Sequence, residues 1–126
     1  MGNMFHKLTK VEKEECLVKI EFYTNSKKLF LNKDFCLAQL SEETGITAHK
    51  ISYLINSEFG VNFNDYVNLK RIQCLLENIN DPILKNLSIE KMSLICGFGS
   101  RASCFRALRK HKGKSLKHFK ISSHLS

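Results

Sequence analysis

Proline is nearly missing from this chain: Pro82 is the only one in 126 residues, and tryptophan does not occur. With one proline, little interrupts long helices. No run is apolar enough to cross a membrane as a helix, and no segment alternates apolar and polar residues long enough to predict a strand. Zinc-type cysteine spacing is also lacking. Cys16, Cys36, Cys74, Cys96 and Cys104 form no C-x-x-C pair, sit in apolar-periodic segments, and read as buried small hydrophobes in a reducing compartment. The start MGNMFH carries neither a secretory leader nor the Ser or Thr that a myristoylation signal wants at its sixth position, so a cytoplasmic location is expected. There is no Ser/His/Asp order, phosphate loop or carboxylate pair in a recognisable frame. No catalytic residue, cofactor or metal is therefore expected. His111 and Cys104 stand seven residues apart, and with His118 they read as surface histidines and a core thiol, not a metal site.

Acidic residues are scarce in one half only. Residues 1–60 hold 8 Lys or Arg and 8 Asp or Glu, whereas residues 61–126 hold 12 and 4, which accounts for the whole net charge of +8. Between Arg101 and Lys120 there are eight basic residues and no acid. Apolar residues interleave with these charges at helical spacing, so the block reads as the basic face of ordered helices, and an anionic partner is implied.

The chain reads as all-α. Helices are expected over about Lys10–Asn25, Phe35–Thr44, Ala48–Glu58, Phe63–Asn80, Ile89–Cys96, Arg101–His111 and Leu116–Ile121. The clearest break is Asn78 to Ser88, where Asn, Asp and Pro stop one helix and Ser88 is a natural N-cap for the next.

Two parts of the chain repeat each other. An offset of 52 aligns Leu37 with Ile89, Leu40 with Met92, Ser41 with Ser93, Gly45 with Gly97 and Ile46 with Phe98. Gly45 to Gly60 spans 15 residues and Gly97 to Gly113 spans 16, so one residue is inserted after the turn begins. An offset of 53 then aligns Ile51 with Cys104, Ile55 with Leu108 and Gly60 with Gly113. Each copy is a helix, a glycine turn and a second helix, which is the helix-turn-helix pattern. The glycines suit left-handed positions in the turn and at the helix end.

These residues resemble the DNA-binding domain of the AraC/XylS family of bacterial transcription regulators. The second copy, CGFGSRASCFRALRKHKGKSLKHF, is similar to the family's GF-x-S turn, recognition helix, closing Gly and last helix. ISYLINSEFGVNFNDYVNLKRIQCLL resembles the form common in Bacteroidetes regulators, and KIEFYTNSKKLFLNKDF fits the segment that precedes it there. The resemblance implies a seven-helix, homeodomain-like domain with two helix-turn-helix units joined by a linker helix, to whose core Leu69, Ile72 and Leu76 contribute. It places a flexible N-terminus at 1–9, the domain at 10–121 and a flexible tail at 122–126. Within the domain, 10–60 is the first unit, 61–80 the linker and 86–121 the second unit with the last helix. Cys104 replaces the family's usual aromatic, Leu116 its proline and Cys36 its first-unit cap.

A major groove about 12 Å wide admits one helix, whose first turns reach base edges and whose flanks meet phosphate. In the second unit Arg101, Ala102, Phe105 and Arg106 lie opposite the Cys104/Leu108 stripe and are expected to contact bases. The repeat favours Phe105 facing outward over its filling the volume left by Cys104. The matching positions of the first unit are His49, Lys50, Ser52 and Tyr53. Thr47, Asn56, Ser100, Arg109, Lys110 and Lys112 are candidate phosphate contacts. A linker of about 18 residues spans about 27 Å, which suits recognition helices about one DNA turn, or 34 Å, apart. The expected partners are double-stranded DNA and RNA polymerase, with no membrane, for a monomer or weak dimer. The alternative is a helical protein–protein interaction module of the same fold with weak or lost DNA binding.

Overall fold

The computed structural model describes residues 8–84 and 86–112. Among them are six α-helices and no strand: α1 (Lys10–Glu21), α2 (Leu37–Thr44), α3 (Ala48–Phe59), α4 (Phe63–Ile79), α5 (Ile89–Ile95) and α6 (Arg101–Lys112). The all-α class and five of the helix positions agree with the spacing. The expected helix at Leu116–Ile121, Gly113 and the tail lie outside the described residues.

Most helix starts follow from local side-chain chemistry. Thr9 and Glu12 exchange hydrogen bonds across the first turn of α1, a reciprocal cap. Thr47, Asn62, Ser88 and Ser100 each accept a backbone N–H from the first turn of the helix that follows, at 2.8–3.2 Å. Cys36 begins α2 with no side-chain cap, and it is exposed rather than buried as the cysteine reading expected. The first helix also departs from expectation. It ends at Glu21 and widens into a π-turn over Phe22–Ser26, closed by Lys27 N–H donating to the Phe22 carbonyl at 2.8 Å. Lys28, at φ 59°, then turns the chain away.

The described residues form two compact units. The first contains α1, α2, α3 and the start of α4. Its core holds Ile20, Leu40, Ile51, Leu54 and Ile55, all essentially inaccessible to water. Phe35 meets Phe63 with ring centroids 5.5 Å apart, and Phe59 stacks on Tyr66 at 5.2 Å. The Tyr66 hydroxyl donates to the Glu21 carboxylate. Burial first, and that carboxylate second, push the phenol well above its ordinary pKa.

The second unit contains the rest of α4 with α5, α6 and the short segment Phe30–Asp34. Its core joins Ile72, Leu75 and Ile79 of α4 to Met92, Cys96, Phe98, Cys104, Ala107 and Leu108. The inner stripe of α4 here therefore runs through 72, 75 and 79; Leu69 and Leu76, expected in the core, are half-buried. Phe30–Asp34 belongs to this unit because Arg71 holds it. The Arg71 side chain, 9% exposed, donates from Nε to the Phe30 carbonyl and from Nη2 to the Asn32 carbonyl, both at 2.8 Å.

Candidate nucleic-acid interface

The two helix corners are built alike. Gly45 and Gly97 both take left-handed φ, 74° and 96°, between the paired helices. Leu40 and Met92, one helix turn before, are both fully buried, and Ile46 and Phe98, just after, are buried too. In the helices that follow, Ile51, Leu54 and Ile55 occupy the same inward stripe as Cys104, Ala107 and Leu108. The two offsets read from the sequence thus describe one packing scheme used twice. The first turn is laced by hydroxyls: Ser41 donates to the Ile46 carbonyl at 2.6 Å, and Thr44 accepts the Ile46 N–H at 3.1 Å. In the second, Ser93 turns back to the Glu90 carbonyl at 2.8 Å, and backbone bonds from Gly97 and Phe98 close the corner.

With those stripes inward, the opposite faces of α3 and α6 meet solvent. On α3, His49 and Asn56 are exposed, and Lys50, Ser52 and Tyr53 are half-buried. On α6, Arg101, Ala102, Arg106, Arg109 and Lys110 are all exposed. The structure therefore groups four described cations on the outer surface of one 12-residue helix; the Lys112 side chain lies outside the described residues. Thr47 and Ser100 stand at the helix starts, but their hydroxyls are engaged in capping. Ser103 answers Ser100 in kind, its hydroxyl accepting the Ser100 N–H at 3.2 Å and donating to the Ser100 carbonyl at 2.9 Å.

Phe105 differs from the outward position expected for it. It is half-buried and packs against the core of its unit. Its position, about 100° round the helix from Cys104, is the edge of the inward stripe. The small Cys104 leaves that edge open to an aromatic ring. Arg101, one turn earlier, lays its guanidinium over the ring, with Cζ 5.0 Å from the centroid. Phe105 thus steadies an arginine at the start of the helix, an i, i+4 pair that the spacing Arg-x-x-x-Phe already contained.

The sequence reading missed the neighbour of Lys50. The Glu12 carboxyl is held below its ordinary pKa, first by its bonds to Thr9 and then, to a smaller degree, by the Lys50 ammonium. The one formal cation on the outer face of α3 therefore shares its field with an acid from α1. Glu12→Gln should raise affinity for duplex DNA roughly two- to fivefold at low salt, and the gain should fade as salt screens the pair. Titration of both proteins at two ionic strengths checks this.

Two thiols of the second unit, Cys96 and Cys104, are held toward their neutral form. Burial pushes Cys104 up to about 12, and a bond to Cys74, followed by burial, pushes Cys96 up further. The Asn78 amide donates to the sulfurs of Cys96 and Cys74 at 3.4 and 3.8 Å. Among the described residues, no group of three or more His, Cys, Asp or Glu could hold a metal ion. No described helix is long and apolar enough to cross a membrane.

The fold of this chain has been seen in solved structures. The C-terminal domain of AraT, a response regulator from Geobacillus stearothermophilus, superposes with a TM-score of 0.68 over 92% of this chain and 88% of its own, at 19% identity. This chain has the AraT C-terminal domain fold. A protein of unknown function from Listeria innocua shares it, with a TM-score of 0.66 over 81% of this chain and 93% of its own, at 20% identity. No protein-family model matches the sequence, and neither does any curated protein. At such identities the likeness to AraT carries the architecture and not the side chains.

Proposed function

We propose that this chain binds double-stranded DNA sequence-specifically as a bacterial transcription regulator, with α3 and α6 entering successive major grooves. The observation that supports this best is the outer face of α6. Arg101, Arg106, Arg109 and Lys110 are displayed on a helix whose other side is locked into its unit by Cys104, Ala107 and Leu108. A helix that is rigid, narrow and cationic on one side suits a groove walled by phosphates. The AraT-like fold supports the same reading, as does the duplicated corner.

Arg101 and Arg106 are the proposed base readers of α6, with Ala102 beside them offering a methyl contact to thymine. Phe105 acts through Arg101. On α3 the readers are His49, Lys50, Ser52 and Tyr53. Arg109, Lys110 and Lys112, with Asn56 and the helix starts at Thr47 and Ser100, hold the sugar–phosphate backbone. A monomer is sufficient for two groove contacts, and RNA polymerase is the further partner at a promoter.

The test is anisotropy titration of labelled duplexes at several salt concentrations, after selection of a preferred site from random DNA. With these six cations engaged, log affinity should fall against log salt with a slope of about −5. Arg101→Ala should relax preference at one base pair, narrowing the gap to the wrong base by about 1–3 kcal/mol. Lys110→Ala should weaken all sequences alike and reduce the slope by about one. Absence of binding to any duplex at low salt would leave the interaction-module reading in its place.

A further inference from the structure

Cys74, Cys96 and Cys104 gather in the second unit, and they differ in access to water. Cys96 and Cys104 are fully buried, whereas Cys74 is half-buried on α4, beside the exposed Gln73. The Asn78 amide ties two of the sulfurs together, its Nδ2 donating to Cys96 at 3.4 Å and to Cys74 at 3.8 Å. These two thiols are also hydrogen-bonded to each other. Cys96 is the one that keeps its proton, since that bond first and burial second push its pKa upward. An S–H and an N–H therefore converge on the Cys74 sulfur, where they stabilise negative charge. Cys104 influences Cys96 by its field alone.

We propose that Cys74 and Cys96 are a thiol pair that a hydroperoxide oxidises reversibly to a disulfide, clasping α4 to the residue before the Gly97 corner. The Cys74 thiolate attacks one peroxide oxygen; an S–O bond forms, the O–O bond breaks, and the leaving oxygen takes a proton. Cys74 is then a sulfenic acid. The Cys96 sulfur attacks it, the S–S bond forms, the S–O bond breaks, and hydroxide leaves with the Cys96 proton as water. The two thiols together lose two electrons and two protons, and the peroxide takes up both. A small-molecule thiol reverses the step by exchange. The burial that shields Cys96 from the oxidant leaves it free to resolve its half-buried neighbour.

The bond would close the chain between Cys74 and Cys96, which contains the break at Asn78–Ser88 and α5. Such a link restricts the unfolded chain more than the folded one. In a reducing setting the link is transient, the usual form of redox sensing by thiols. The inference stands whether or not the DNA-binding reading does, because its test contains no DNA.

The test uses the full chain with Cys16→Ser and Cys36→Ser, which removes the thiols outside this unit. Reduced protein is treated briefly with hydrogen peroxide and mapped without reduction. Cleavage after Lys and Arg separates all three remaining cysteines. The product should be a monomer two hydrogens lighter, with the Cys74 and Cys96 peptides linked, and dithiothreitol should restore the starting mass. Cys74→Ser should abolish the linkage. Cys96→Ala should stop the reaction at a Cys74 sulfenic acid that dimedone traps. The oxidised protein should unfold at higher urea than the reduced one, and Cys74→Ser should lose that difference. No intramolecular linkage, linkage of Cys96 to Cys104 instead, absence of the trapped sulfenic acid, or a urea midpoint unmoved by oxidation would each overturn the proposal.

Discussion

Gly97→Ala should destabilise the second unit by about 2–5 kcal/mol, while the equivalent Gly45→Ala should cost the first only about 1–2 kcal/mol. Both glycines hold left-handed φ, so both substitutions carry backbone strain. Their surroundings differ. A Cβ at Gly45 meets nothing within 4 Å, but one at Gly97 would lie 2.3 Å from the Phe30 carbonyl oxygen, 2.9 Å from Leu31 Cα and 3.0 Å from Arg71 Nε. Two of those three atoms are backbone, so relief requires Phe30–Asp34 to shift away from its arginine. Urea unfolding of the two variants, followed by circular dichroism, measures the difference. Equal losses would show that the Phe30 segment yields without cost. Because Gly97 leads through Phe98 into the capped start of α6, the variant should also bind DNA more weakly under conditions where it is still mostly folded.

Arg71→Met should cost a similar amount by a different route. The guanidinium is nearly enclosed, and burial holds its pKa below the ordinary value. It remains there because its planar fork meets two carbonyl oxygens at once and reaches the Asn68 side chain at 3.4 Å. Methionine matches the stem but donates nothing. The Phe30 and Asn32 carbonyls would each lose a charged donor, at about 1–3 kcal/mol apiece where water cannot replace it. Arg71→Lys should recover only part of this, since one ammonium cannot reproduce the fork. Gly97 and Arg71 share the Phe30 carbonyl, so the double variant should lose less than the two single losses added together. An additive result in the same unfolding measurement would mean that the two contacts are independent.

The repeat made much of the candidate interface legible. Once Ile51 and Ile55 are aligned with Cys104 and Leu108, the inward stripes of α3 and α6 follow from helical period, and the outward faces follow by exclusion. Helix starts were legible because capping is local: Ser88, Thr47 and Ser100 each act on the residue three positions ahead. Reading failed where the neighbour is remote in sequence. Glu12 and Lys50 are 38 positions apart, and neither carries a mark of the other. Phe105 was misplaced because local spacing put it at the edge of a face, and only the room beside Cys104 decides which way an edge residue leans.

Among the described residues, sequence alone determined which segments are helical, where most of them begin, that the corner occurs twice, and that the second outer face is the basic one. Each of these rests on interactions spanning a turn or two of chain, or on composition. Tertiary structure alone decided that Phe30–Asp34 belongs with Arg71 and Gly97, that Glu12 tempers Lys50, and that Arg101 rests on a half-buried Phe105. The first two depend on groups brought together across tens of residues, and the third on how much volume the packed core leaves beside Cys104, quantities that no periodicity encodes.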